Sequence, residues 1–511
     1  MALMTSEEYL QSLRKMKPTV YVDGERVENF ADHPLIRPAI NITAKMYAMA
    51  QDPDYEGVLT TTSHLTGRKI SRFNHIYQST EDLLKALSML RLTNQAVGAC
   101  NMRCLTKELI NPLYDTTFEI DRECGTDYHR RFKDYLIFLQ DDDRMASAGV
   151  TDAKGDRRLR PSKQFDPDLY LRVVDKNEKG IIVRGAKLHQ TGALTAHYLN
   201  VVPSTIMGED EKDYAVAFAT PSDAPGLIHV FGRHALDERR YTGADLGNIK
   251  YDMHETMIIF NDLFVPWERV FMCGEYPFTQ TLVENFIANH RYSYGGCRPG
   301  TFDVLIGAAK LIAEFNGIDR AWHIREKLTE MSFLNETMWA CAVAAAVQGV
   351  KKPSGWYQPD KLLANVTKLH VTSIPHELGK LAIDLAGGIV ATLPSEKNLH
   401  NPEIGPLVRK YLRTKPELPV EDRMRIIRLI EFLVQGVTIP ADYFGGGGPA
   451  TQKMIIERET NFEYKKRLAK IISGIAEEDS ANKAGKMMID GIVSGCCDAY
   501  GTESCPLPRR S

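Results

Sequence analysis

The feature that most constrains the fold is a hydrophobic period that changes twice along one chain. From residue 1 to about 140 the sequence reads as helical. Thr5-Ser6-Glu7-Glu8 opens a helix with an acidic first turn, and residues 79–105 run on with few turn residues. Between 141 and 280, short β-rich runs at 170–174, 181–183, 214–219, 227–230 and 257–260 alternate with Gly, Asp and Pro. The helical period then returns at 305–315, 323–350, 362–385 and 423–437. This order predicts an α+β chain: a helical N-terminal domain over 1–140, a central antiparallel β-barrel over 141–280 and a C-terminal helical bundle over 281–478. Gly445-Gly446-Gly447-Gly448-Pro449 reads as a flexible break before the last helices, and 479–511 as a tail without an evident fold.

Composition removes several function classes. The 63 Lys+Arg and 66 Asp+Glu leave a net charge of −3, so nothing general favours nucleic acid or an anionic membrane. No apolar run approaches the roughly 20 residues of a membrane-spanning helix. The first residues carry acids where a secretory signal needs an apolar core, so the chain reads as cytoplasmic. Nine cysteines in 511 residues do not make a disulfide scaffold. In a reducing compartment, clustered cysteines read instead as metal ligands or reactive thiols.

Two such clusters occur. Cys100-Asn101-Met102-Arg103-Cys104 puts two thiols at i and i+4 of a helical stretch, where both leave one face a turn apart. Much later comes His290-Arg291-Tyr292-Ser293-Tyr294-Gly295-Gly296-Cys297, whose paired glycines allow a close backbone approach or a sharp bend. Three thiolates and an imidazole suit an iron–sulfur cluster or zinc, and spacing does not choose between them. The cysteine pair alone is more often two small buried hydrophobes. Cys273 and Cys341 read as core cysteines, and Asp141-Asp142-Asp143 as a solvated turn. His189, His197, His254, His370 and His376 have no ligand-like spacing, and Cys496, Cys497 and Cys505 lie in the tail.

These clusters carry a family likeness. Together with DHPLIRPAIN (32–41), TDAKGDRRLRPS (151–162), VRGAKLHQTGA (183–193), YAVAFATPSDAPGL (214–227), LNETMWAC (334–341) and LAGGIVATLPSE (385–396), the chain resembles the 4-hydroxybutyryl-CoA dehydratase (vinylacetyl-CoA isomerase) family. That family lies within the 4-hydroxyphenylacetate 3-hydroxylase group and, more distantly, the acyl-CoA dehydrogenase-like flavoproteins. The likeness spans about 3–476. It implies an acyl-CoA dehydrogenase-like fold, FAD, a [4Fe–4S] cluster on Cys100, Cys104, Cys297 and His290, and a homotetramer whose subunits share cofactor sites. Three positions depart from the family pattern: Met102 for Gln, Arg298 for Lys, and Ala441-Asp442 where a Glu is expected. Arg for Lys keeps the charge and changes donor geometry.

The implied reaction is radical dehydration of 4-hydroxybutyryl-CoA to crotonyl-CoA, with vinylacetyl-CoA isomerisation as a related activity. The hydroxyl sits on C4 and the C3 hydrogen is unactivated, so simple α,β-elimination cannot reach it; one-electron chemistry from FAD answers that difficulty. By the resemblance, His290 is both cluster ligand and base, and Tyr294 and Glu255 attend the substrate hydroxyl. Taken alone, Glu255 reads as a solvated strand-edge charge and Tyr294 as a packing aromatic. Flavin contacts are assigned to Asp156, Arg157, Ser162, Gln190, Thr191, Gly387, Gly388, Pro394 and Ser395, although no Rossmann or Walker pattern is present. Two other readings stand beside this one. A flavin monooxygenase of a phenol would need no cluster, and a binding module with structural zinc would need no flavin.

Overall fold

The computed structural model describes residues 3–234, 237 and 243–475. The tail and its three cysteines lie outside the described residues. Helices and strands alternate in the expected order, with two differences that matter for the site.

The first concerns the β region. Its strands form two sheets rather than a barrel, and among the described residues neither sheet closes on itself. The larger has six strands in the order Glu25–Val27, Thr19–Val22, Leu227–Phe231, Glu255–Pro266, Gly180–Thr191 and Arg172–Asn177. The smaller runs Val270–Cys273, Val216–Pro221, Tyr198–Val201, Ala146–Gly149. Both are mixed: Thr19–Val22 lies parallel to Leu227–Phe231, and Ala146–Gly149 parallel to Tyr198–Val201. Residues 1–140 therefore supply strands as well as helices. Phe218 of one sheet meets Phe260 of the other edge to face at 6.0 Å, an aromatic geometry that closes the core between them.

The second difference lies at Cys100. The helix Thr80–Val97 stops at Gly98, whose φ of 60° is the left-handed cap that ends a helix, and the next helix runs Cys104–Cys124. Cys100 thus sits in the link, not on a shared helical face with Cys104. Met102 takes φ 54° there, a conformation unusual for a side-chain-bearing residue. The link is anchored by Arg103, which pairs with Asp143 at 2.5 Å and lies 3.7 Å over the Tyr47 ring. Asp143 is accordingly buried, and its expected place in a solvated turn is wrong because Arg103 draws its carboxylate inward.

In the C-terminal region one helix, Phe278–Phe315, runs 38 residues straight through Gly295-Gly296 and Pro299. The glycines serve close approach, not a bend. A Cβ on Gly296 would meet Leu87 O at 2.9 Å, and one on Gly295 would meet Met338 O at 2.9 Å, so neighbouring helices press on both sides. The stretch 362–385 is two helices, Lys361–Val371 and Ile374–Ala386, because Pro375 starts a new first turn. Cys273 and Cys341 are half-buried, short of the core placement expected for them.

Candidate active site

On the long helix His290, Tyr294, Cys297 and Arg298 recur at intervals of four, three and one residues, which sets them along one face. Tyr294, Cys297 and Arg298 are buried, and His290 is 14% exposed, the one of the four that reaches an opening. The His290 ring stacks on Phe286 at 5.2 Å and meets the Tyr294 ring edge-on at 5.0 Å. Its Nδ1 lies in a short contact with the Glu108 carboxylate.

Facing this row is the start of the Cys104–Cys124 helix. Cys104 receives its first-turn hydrogen bond from the chain before it: its N–H donates to Asn101 Oδ1 at 3.0 Å. Cys100 and Cys104 hydrogen-bond through their thiols. That bond and Arg298 hold the Cys100 thiol down at about 7, while the same bond and burial drive Cys104 well above the usual thiol range. Burial pushes Cys297 up to about 12. Cys100 and Cys297 feel each other's charge, and both feel Glu108 and Arg298, so the three thiols border one volume. Among the described residues no three His, Cys, Asp or Glu side chains converge as tightly as ligands of a single ion.

The third wall comes from the large sheet, where Thr191 and Glu255 are cross-strand partners. Thr191 Oγ1 donates to Glu255 Oε1 at 2.6 Å, and the other carboxylate oxygen is sealed without a partner. Burial raises the Glu255 carboxyl to about 7, with Thr191 opposing and the Cys100 charge assisting. The adjoining Gly192 faces Met102, whose Cβ would stand 3.1 Å from a side chain there. Met102 thus packs the cysteine link against the turn after Gln190-Thr191. Gln190 itself accepts from Val150 N–H at 3.2 Å.

Several residues here were not singled out from sequence. Glu108, Lys107 and Lys368 are fully or almost fully buried beside the expected site residues. Lys107 donates to Ser293 Oγ at 2.7 Å, and Lys368 donates to the Asp442 carbonyl at 2.6 Å with its Nζ 4.7 Å from the Tyr294 ring centre. Two of the departures meet directly: Arg298 pairs with Asp442 at 2.5 Å. Burial lifts Asp442 to about 6 against Arg298 and Lys368, lowers Lys368 to about 7, and raises Tyr294 far enough to keep its phenol protonated. Glu108 lies i+4 from Cys104, a spacing that could have marked it. Lys368 carried no such signal.

Charge gives a test of fit. Lys107, Arg291 and Arg298 are buried cations beside the buried carboxylates Glu108 and Asp442, and Lys368, lowered to about 7, adds part of a charge. Among the described residues Arg291 binds neutral acceptors: Gly446 O, Thr451 Oγ1 and Asn365 Oδ1. Uncompensated buried cations are costly, and a thiolate-bound anionic centre would offset them. The donor set and its charge both fit an iron–sulfur cluster.

Of the expected flavin residues, Asp156, Arg157 and Ser162 follow Asp152, which bridges to Lys187 on the strand that carries Gln190 and Thr191. Asp156 pairs with Arg158 at 2.6 Å, Arg157 is exposed, and Ser162 lies in the 3-10 turn Pro161–Lys163. Ser395 donates to Asp245 at 2.7 Å after Pro394, and side chains on Gly387 or Gly388 would meet nothing within 4 Å. Among the described residues no hydrogen bond or ion pair joins either group to Gln190 or Thr191.

This fold and site define a class before they define a reaction. The family profile for the 4-hydroxyphenylacetate 3-hydroxylase N terminal matches residues 5–272, and that for the C terminal matches 279–474. Superposition on the FAD complex of the oxygenase component of 4-hydroxyphenylacetate 3-monooxygenase gives a TM-score of 0.82 at 25% identity, over 92% of this chain and 99% of that one. Two nearer relatives narrow the class. The chain is 44% identical, over 93% of its length and 100% of the relative's, to the 4-hydroxybutyryl-CoA dehydratase/vinylacetyl-CoA-Delta-isomerase of Clostridium aminobutyricum. It matches an oxygen-tolerant archaeal 4-hydroxybutyryl-CoA dehydratase from N. maritimus with a TM-score of 0.91 and 43% identity, over 93% of this chain and 96% of that one. The chain belongs to the 4-hydroxybutyryl-CoA dehydratase family, within that larger group.

Proposed function

We propose that this enzyme removes water from 4-hydroxybutyryl-CoA to give crotonyl-CoA, and interconverts vinylacetyl-CoA and crotonyl-CoA at the same site. The observation that carries the reading is the gathering of Cys100, Cys104, Cys297 and His290 around one buried, cation-rich volume walled by Glu255 and Tyr294. The 44% identity to a dehydratase of that name supports the substrate.

A [4Fe–4S] cluster would be held by Cys100, Cys104, Cys297 and His290. FAD would lie against Gln190 and Thr191, with further contacts from Asp156, Arg157, Ser162, Gly387, Gly388, Pro394 and Ser395; likeness to an FAD-complexed relative supports it. What these groups supply when bound is reversible one-electron chemistry, which gives the reaction its radical character, and a Lewis acid near the hydroxyl. The chain's own residues supply the rest. His290 Nε2 takes the C2 proton, which the thioester has made acidic. Glu255, raised to about 7, and the protonated Tyr294 hold the C4 hydroxyl and deliver a proton to the departing oxygen. C3 also gives up a hydrogen and C4 gains one, forming the C2–C3 double bond and the methyl group of crotonyl-CoA, so the sum is loss of one water with no net oxidation.

A homotetramer whose subunits share cofactor sites belongs to the same reading; the helix Phe462–Ile472, which buries no residue against its own chain while Ile472 stands 88% exposed, supports it. No helix among the described residues is long and apolar enough to cross a membrane. The monooxygenase alternative uses none of the three buried thiols.

The test is anaerobic purification followed by incubation with 4-hydroxybutyryl-CoA. Crotonyl-CoA formed by the wild type and absent with His290→Ala supports the reading. Bound cofactors without crotonyl-CoA would reject the substrate.

A further inference from the structure

Among the described residues, Glu108 is the one carboxylate that touches two of the four proposed ligands. Its Oε2 faces His290 Nδ1, and its side chain also hydrogen-bonds Cys104, one helical turn before it. It is 2% exposed, and Lys107 Nζ stands 3.7 Å from its Oε1. The Lys107 ammonium on one side and the His290 ring nitrogen on the other are the partners of an ionised carboxylate. An ionised carboxylate only accepts, so the nitrogen facing it must carry the proton.

That fixes the imidazole. With Nδ1–H spent on Glu108, Nε2 is the nitrogen with a free lone pair. The ring cannot turn to exchange them, because Phe286 stacks on its face and Tyr294 closes its edge. Nε2 lies on the side of the glycine segment, 3.4 Å from where a Cβ on Gly446 would stand. We infer that Glu108 is a positioning residue that locks His290 in one tautomer and ring orientation, so that ligation and C2 deprotonation are confined to the same atom, Nε2. The inference rests on the dehydratase reading for His290's two roles. Removing Glu108 should therefore weaken both roles together.

The experiment uses anaerobically purified holoenzyme carrying Glu108→Gln, His290→Ala or both, with flavin content and thermal unfolding checking that each variant is folded. Hydron exchange at C2 of butyryl-CoA in heavy water, read by mass spectrometry, reports deprotonation without needing the 4-hydroxyl. Iron loss to a ferrous chelator reports ligation without turnover. Glu108→Gln should slow exchange and speed iron loss, each about 10–100-fold, the usual effect of removing a carboxylate behind a ligating histidine. Added imidazole should restore exchange in His290→Ala, and equally in the double variant, because free imidazole needs no Glu108 to orient it. Wild-type rates of exchange and iron loss in Glu108→Gln would overturn the inference. So would imidazole rescue that is weaker in the double variant, or a wild type showing neither exchange nor chelatable iron. Exchange that depends on Glu108 in an enzyme that forms no crotonyl-CoA would sink the substrate and leave the positioning role standing.

Discussion

At the scale of single residues, Glu255 and Tyr294 differ most from what their sequence neighbours suggest. Glu255 precedes a run of strand residues and reads as a solvated edge charge, yet one carboxylate oxygen accepts from Thr191 and the other is sealed from solvent. Its carboxyl is raised to about 7, so as an acid it works below that value and is lost above it. Dehydration should therefore fall about tenfold per pH unit above 7, and Glu255→Gln should remove that limb of the profile. Asp143 makes the same point for stability. Breaking its buried pair with Arg103 by Asp143→Asn should cost about 3–5 kcal/mol in denaturant unfolding, since it leaves a guanidinium unpaired in the core. His197 and His254 are held down at about 3 by burial, below the ordinary 6.5. Each is neutral when folded and takes a proton more readily unfolded. Their contribution is full above about 6.5 and fades as pH falls, by about 2 kcal/mol each at pH 5. A melting temperature that does not drop between pH 7 and 5 would contradict this.

At the scale of elements, the chain announces its helices more clearly than their ends. The residues of the long helix Phe278–Phe315 read as helical only from 305, because Gly295, Gly296 and Pro299 look like breaks. Packing overrides that local preference: the glycines are where the helices Thr80–Val97 and Trp322–Val347 come close. Gly296→Ala should lower stability by about 1–3 kcal/mol and reduce bound iron, since the added carbon pushes Leu87 away and shifts Cys297 next to it. A normal melting temperature with normal iron would show that the close approach is dispensable. Cys100 illustrates the reverse error. Its i, i+4 spacing to Cys104 suggested one helix, but Gly98 ends the first helix before it. The candidate ligands stand out by residue type; the backbone that presents Cys100 does not, because a left-handed cap depends on a single glycine's conformation. The β strands were found in place, while their division into two open mixed sheets depends on pairings between distant segments that no local pattern encodes.

At the scale of the whole molecule, the order helix, strand, helix was legible because hydrophobic period is a local property. The contacts that assemble the site were not. Glu108 meets His290, Lys368 meets Tyr294 and Arg298 meets Asp442 across long stretches of chain, and each is a plain charged residue in sequence. The Arg298–Asp442 contact also gives two of the three departures from the family pattern a shared explanation: the substituted residues face each other. The holoenzyme should sediment with the mass of four chains, and a stable flavin-loaded monomer would argue against cofactor sites shared between subunits. The account stands or falls on one metal centre built from both halves of the chain. Iron and acid-labile sulfide should be assayed in anaerobic wild-type enzyme and in Cys104→Ser and Cys297→Ser. About four of each per wild-type chain, lost together in either variant, is the result predicted for a [4Fe–4S] centre. One zinc per chain, or iron that survives both substitutions, would contradict it.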